Sequence, residues 1–291
     1  MKYLVLGGSG LVGHQLVLEL GEGNDVHLTY HSFVPSQNAF AHKLELQDHH
    51  KAAELVKSIR PDVVIHTVAN PSVDWHERER TAAYNLNVLA TAVVAGATKE
   101  IGAKMVYLST AFVFPDIKKV FSEDDIPAPI SFYGVTKLGG ELAASKNPDH
   151  LIIRTDQIYG WTLPSQKKSF VVGTLEKLER GEKVEVCRDW FNVPTYVKDL
   201  SAAILSLIKK DSRGVYHIVG SSFVDRYSWA IKIAEVFGKD KSLVSGINSE
   251  KLNLPAKRPN VHLSNTKVIN ELGMKLMTVE EGLEDMKSVM K

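Results

Sequence analysis

A single cysteine, Cys187, stands in the 291-residue chain, so no disulfide can close within it. No apolar run approaches the ~20 residues that span a bilayer. Charge of one sign is missing too: 35 basic residues against 34 acidic leave a formal charge of +1. No block of like charge is long enough to follow a phosphate backbone or an anionic membrane, so neither nucleic acid nor membrane is an expected partner. The eleven histidines include no HExxH, and paired CxxC motifs are absent, so no metal site is expected. A strand pattern beginning at Lys2 leaves no room for a signal peptide. With the lone cysteine, that makes the cytoplasm the expected compartment.

What is present is alternation. Tyr3–Leu6, Val26–Tyr30, Val63–Val68, Met105–Ser109 and Leu151–Arg154 are short apolar runs of the kind that form buried parallel strands. Between them, residues 10–20, 50–59 and 86–96 carry apolar positions at helical spacing. Repeated β-α-β predicts an α/β fold, a doubly wound parallel sheet of the Rossmann type over residues 1–160. After Gly160 the alternation fades into an irregular stretch around Pro164 and Pro194. A strand at Tyr216–Val219, a helix at Ser228–Phe237 and a last helix displaying Val279, Leu283 and Met286 follow. Residues 161–291 therefore read as a smaller region, partly interleaved with the first.

The run Gly7-Gly8-Ser9-Gly10-Leu11-Val12-Gly13 sits between the first strand and the first helix. In that position one glycine permits the tight turn, one lets backbone approach a pyrophosphate, and one lets helix and strand pack closely. Gly7, Ser9, Gly10, Leu11, Val12 and Gly13 are the expected phosphate cradle, with the free N–H groups of the helix start aimed at the anion. At the end of the second strand Thr29-Tyr30-His31-Ser32 offers no carboxylate to repel a 2′-phosphate, so His31 and Ser32 favour NADP over NAD, although neither Arg nor Lys stands there to pair with the phosphate. Glu45 and Leu46 either line the adenine or simply end a polar strand.

Of nine tyrosines only Tyr133 has a lysine four residues later, Lys137. On a helix the two share a face. A neighbouring ammonium would lower the phenol's pKa from its ordinary value near ~10, which makes Tyr133 a candidate general acid. Ser109 and Thr110 close an apolar strand, the place where open α/β sheets meet their ligands.

Together these stretches resemble the extended short-chain dehydrogenase/reductase family, and within it the dTDP-4-dehydrorhamnose reductase branch. STAFVF, YGVTKLGGE, RTDQIYG, VPTYVKDL and RPNVHLS match that branch's STDYVF, YGKTKLxGE, RTSWVYG, a PT-containing segment and RPxNSxL. The resemblance implies a cofactor-binding domain before residue 160 and a substrate-binding region after it. It implies Thr110, Tyr133 and Lys137 as the catalytic trio, with Val68, Ala69, Asn70 and Asn87 along the dinucleotide and Tyr133 and Lys137 at its nicotinamide end. Arg258 would approach the substrate's nucleotide end or remain a surface arginine. Ala111 and Gln157 replace an Asp and a Trp where sugar contacts are expected, next to Phe112, while Asn192 falls in the stretch that builds the substrate wall. The implied activity is NAD(P)H-dependent reduction of a nucleotide-linked 4-keto-6-deoxy sugar by a homodimer. Two alternatives stay open: an NADP-binding regulatory subunit like the β subunit of methionine adenosyltransferase, which SEDDIPAPISFYGVTKLGGE also resembles, and a nucleotide-sugar epimerase. Trp75, Trp161 and Trp190 either stack on ligand or belong to the core. DWHERER, from Asp74 to Arg80, reads as a solvated helix start.

Overall fold

Strands apolar on both faces need cover on both sides, and this chain supplies it. The computed structural model describes residues 1–21, 23–34 and 39–290. Its strands in chain order begin β1 Lys2–Leu6, β2 Asp25–Tyr30, β3 Phe40–Lys43, β4 Val63–His66, β5 Lys104–Thr110, β6 Val120–Phe121 and β7 His150–Thr155. Six of these, without β6, join a later strand, Gly214–His217, in one seven-stranded sheet. Its order is Gly214–His217, β7, β5, β4, β1, β2, β3, and every pairing is parallel.

Side chains alternate across each strand, and the two faces build separate cores. Tyr3 and Val5 of β1 pack with Leu16 of the first helix, α1 (Leu11–Leu20), and with Leu200, Ile204 and Trp229 from the second half of the chain. Leu4 and Leu6 point the other way, onto Val56 and Val94 of the helices His49–Ile59 and Ala90–Glu100. Each such side chain, once withdrawn from water, contributes roughly 1.5–3 kcal/mol.

The chain beyond residue 160 is more regular than its sequence suggests. Helices Phe170–Glu179 and Val197–Lys209 both form there. The second has Leu200, Ala203, Ile204, Leu207 and Ile208 on one buried face, a helical period that the preceding Pro194 obscures. It packs on α1, while Gly214–His217 returns to the sheet beside β7. The expected helix over 86–96 also differs: a π-turn, Asn85–Leu89, precedes a helix at Ala90–Glu100. That widened turn places Asn87 in a buried hydrogen-bond network, a common use of π-bulges. Strand order reverses between β1 and β4, which opens a crevice at the carboxyl ends of the strands. Among the described residues no helix is long and apolar enough to cross a membrane.

Candidate active site

A cleft of about 580 Å³ fills that crevice. One wall is backbone. Gly7 has φ +83°, a left-handed conformation that favours glycine, and its N–H is held by the Thr29 hydroxyl at 3.0 Å. A Cβ on Gly13 would lie 2.2 Å from the Gly7 carbonyl oxygen. The loop can therefore pack this closely only without side chains. α1 begins at a Gly10 N-cap with no side-chain bond to its first turn, so its amides face the cleft unsatisfied and no acidic residue competes for them. Ser9, Gly10, Leu11, Val12 and Gly13 all line the cleft. Gly7 does not: it forms the turn beneath. Such a cradle fits a dinucleotide's pyrophosphate.

The residues expected around the adenosine divide. His31 and Ser32 stand at the tip of β2 and bond each other at 2.8 Å, and the Glu45 carboxylate reaches His31 Nε2 at 2.9 Å. The tip of β2 thus holds a carboxylate that its own sequence lacks, delivered by the neighbouring segment. Leu46 is buried with Val56 and Ile59, and its side chain stands outside the cleft lining. Ala69 and Asn70 line the cleft. Val68 instead packs against the core, where its side chain limits the space over Gly7. Asn87 is turned away, its amide nitrogen donating to Thr136 Oγ1 at 2.9 Å and to His76 Nε2 at 3.1 Å.

Thr110, Tyr133 and Lys137 come together at the middle of the cleft with Ser109 and Phe112. The helix Phe132–Ala144 is capped by the Ser131 hydroxyl and carries Tyr133 and Lys137 on one face. Lys137 Nζ donates to the Leu108 carbonyl at 2.7 Å and lies 4.2 Å above the Tyr107 ring. One helical turn further, Glu141 accepts Ser109 Oγ at 2.5 Å and the Arg154 guanidinium at 3.0 and 2.8 Å. This buried cluster ties the helix to β5 and β7.

The electrostatics differ from the sequence expectation. Burial pushes the Tyr133 phenol up to about 12, against the opposing hydrogen bond of Thr110, and Lys137 is no cause of a downward shift. Lys137 itself is pulled down to about 7 by burial, with Glu141 opposing. Desolvation of two groups inside one apolar shell outweighs their mutual influence. Tyr133 is consequently a protonated donor at neutral pH. Its ring rests edge-on against His76, 4.8 Å away. His76 is fully buried, its Nδ1–H donating to the Ser72 carbonyl at 2.8 Å and its Nε2 accepting from Asn87. DWHERER is accordingly more than a solvated helix start: Asp74 holds Arg258, and Glu77 accepts the Phe132 amide at 2.7 Å.

The opposite wall comes from segments far apart in sequence. Gln157 lines the cleft with φ +37°, a left-handed conformation unusual for a residue with a side chain. Ala111 does not reach the cleft, being packed with Val113 and Phe114. Asn192 is buried behind Asp156, to which it donates at 3.3 Å. Arg258 is bound by Asp74 at 2.6 Å and the Ala256 carbonyl at 2.6 Å, and it lies outside the cleft lining. Trp190 carries the guanidinium groups of Arg226 and Arg258 at 5.1 and 5.4 Å from its ring. The Trp161 indole N–H is spent on the Met286 carbonyl, and Trp75 meets His76 edge-on.

Several cleft residues escape the sequence reading. Asp156, in RTDQIYG, is the acidic one, and a charged residue at the end of a buried strand is the available signal. Gln166 anchors the strap over residues 163–168 by donating to the Ser9 carbonyl at 2.9 Å. The strap brings Lys167 and Lys168 to the glycine loop.

This parallel sheet, its glycine cradle and the Tyr133–Lys137 helix define an oxidoreductase of the extended short-chain dehydrogenase/reductase class. More narrowly, the chain belongs to the family described as RmlD substrate binding domain, whose model matches residues 1–291. It is 31% identical over 288 residues to a probable low-salt glycan biosynthesis reductase, Agl14, of Haloferax volcanii, covering 97% of this chain and 96% of that one. It is likewise 31% identical to the dTDP-4-dehydrorhamnose reductase of Escherichia coli, covering 91% and 90%. A methionine adenosyltransferase 2 subunit beta from Pongo abelii is 29% identical, over 89% of this chain and 78% of that one. The crystal structure of dTDP-4-dehydrorhamnose reductase from Bacillus anthracis in complex with NADP superposes with a TM-score of 0.86 at 28% identity, covering 99% of both chains.

Proposed function

We propose that the protein is an NADPH-dependent reductase of a nucleotide-linked 4-keto-6-deoxy sugar. The observation that carries this is the convergence of Thr110, Tyr133 and Lys137 in one cleft with the uncapped start of α1. The likeness to reductases of dTDP-4-dehydrorhamnose, one of them bound to NADP, supports the substrate class and the cofactor. In this reading residues 1–160 hold the cofactor and 161–291 close the substrate side.

The amides of Leu11 and Val12 would hold the pyrophosphate, Ala69 and Asn70 would flank the dinucleotide, and Lys137 would take the nicotinamide ribose hydroxyls. NADPH, when bound, supplies the hydride for the keto carbon. Tyr133 donates its phenolic proton to the developing alkoxide, a role for which a phenol kept protonated is suited. Thr110 hydrogen-bonds the same oxygen and orients the carbonyl. Phe112 and Gln157 border the sugar. Lys137, poised near neutrality by burial, takes up and releases protons as the phenol is restored. Oxidation of NADPH by a dTDP-4-keto-6-deoxy sugar tests the reading: Tyr133→Phe should lower kcat by about 10²–10⁴-fold. Equal rates in the two proteins would reject the mechanism.

The accompanying assembly is a cytoplasmic homodimer. Tyr84 of the helix Arg80–Tyr84, Leu89 of the π-turn after it, and Val135 and Leu142 of the helix Phe132–Ala144 leave apolar side chains exposed, and the one thiol is buried and unpaired, as suits a reducing compartment. Light scattering at micromolar concentration should give twice the 32.2 kDa chain mass. The likeness to the methionine adenosyltransferase subunit carries a second reading, a dinucleotide-binding partner of another enzyme. Stoichiometric capture of such an enzyme, without turnover of any keto-sugar, would favour it.

A further inference from the structure

We propose that Asp156 determines substrate specificity in this cleft: its carboxylate accepts a hydrogen bond from a hydroxyl on the ring carbon next to the one reduced. The inference rests on the reductase reading above. Sheet register is its geometric basis. Thr110 and Thr155 are partners across β5 and β7, so Asp156 leaves the sheet directly beside the end of β5 that carries Thr110. Asp156 and Tyr133 line the same cleft, and the Asp156 charge lies near enough to help hold the Tyr133 phenol protonated. A ligand whose carbonyl oxygen meets Tyr133 and Thr110 therefore presents the adjoining ring carbon to Asp156.

The carboxylate is held for such a task. It is only 5% exposed, and its Oδ2 accepts the Val193 amide at 2.9 Å and the Asn192 side chain at 3.3 Å. Both bonds fall on Oδ2, the Gln157 backbone N–H adds a weaker pull on the carboxylate, and no hydrogen bond among the described residues falls on Oδ1. Arg226 adds a favourable charge at longer range, without forming an ion pair with it among the described residues. Burial pushes the carboxyl up to about 6, so at neutral pH the group is still an ionised, acceptor-only partner. A buried carboxylate is costly when unmatched. A site built around one rejects an analogue lacking the hydroxyl, because the acceptor is then left unpaired. RTSWVYG has serine at this place, so the feature belongs to this chain and not to the pattern it resembles.

Calorimetry with NADP present and two dTDP-6-deoxy sugars, identical except for the hydroxyl beside C4, reads the contact without needing turnover. The wild type should bind the hydroxylated sugar about ten- to a hundredfold more tightly. Asp156→Ser should bring the two affinities within about twofold while leaving the affinity for NADP unchanged. Asp156→Asn keeps an oxygen for the Val193 amide and should retain the wild-type melting temperature, with intermediate discrimination. Undiminished discrimination in Asp156→Ser, or none in the wild type, overturns the inference alone. Failure of either sugar to bind, together with no NADPH oxidation, overturns the reductase reading and this inference with it.

Discussion

The two walls of the cleft are built from different materials. On the cofactor side the functional groups are main-chain amides at the start of α1, supported by glycines whose Cβ atoms would collide with neighbouring backbone. On the substrate side they are side chains, among them Phe112, Asp156 and Gln157, with Asp156 held from behind by the Asn192 side chain and the Val193 amide more than thirty residues further along the chain. Backbone recognition tolerates little change of position and reads only phosphate and shape. Side-chain recognition changes with one substitution, so one wall is suited to a fixed cofactor and the other to varying substrates.

The largest effect should come from the joint between the walls. Glu141→Ala leaves Arg154 buried without its carboxylate, and loss of one partner of such a pair costs about 3–5 kcal/mol. Denaturant unfolding should show that loss, and a variant as stable as the wild type would make the two walls independent. Next comes the backbone wall. Gly13→Ala forces a Cβ against the Gly7 carbonyl and should cost about 1–3 kcal/mol while raising the KM for NADPH. An unchanged KM would mean that the loop is not the phosphate cradle.

A graded effect, small over any one pH unit, separates the walls by pH. In the folded protein Lys137 is depressed to about 7, so between its unfolded value and 7 the unfolded chain binds the extra proton. Stability in the absence of cofactor should therefore fall as pH is lowered from about 10 towards 7, by up to about 1.4 kcal/mol per pH unit. Lys137→Met should flatten that slope in melts taken at several pH values. An unaltered slope would place the titrating group elsewhere. Smallest of all, Gln157→Gly relieves the left-handed backbone at the substrate wall and should change stability by less than about 1 kcal/mol. Its KM for the sugar nucleotide should rise while that for NADPH stays constant, and a reversed split would put Gln157 on the wrong wall.

The same contrast explains what could be read before the fold was seen. Glycine spacing after an apolar strand is a local signal, and so is a tyrosine one turn before a lysine: residues 7–13 and 133–137 each lie within a single element. Leu46, Asn87, Ala111 and Arg258 were harder, because each sits at a suitable place in sequence yet is turned aside by a neighbour from another segment. His76 was hidden among charges, although the helix Val73–Arg78 buries that one residue completely. The helix Val197–Lys209 carried a readable period, and only its irregular approach concealed it.

By itself the sequence determined the parallel sheet, the glycine turn and the pairing of Tyr133 with Lys137, since these depend on continuous apolar runs, glycine spacing and the 3.6-residue helical period that a chain carries locally. Tertiary structure decided the rest. It brought Glu45 to the tip of β2 and locked Arg258 onto Asp74. It also drew Lys137 down by burying it and Tyr133 up by withdrawing it into the cleft wall, and set Asp156 beside them. Desolvation and contacts between distant segments exist only once the chain is folded, and on the substrate side of this cleft they supply the chemistry.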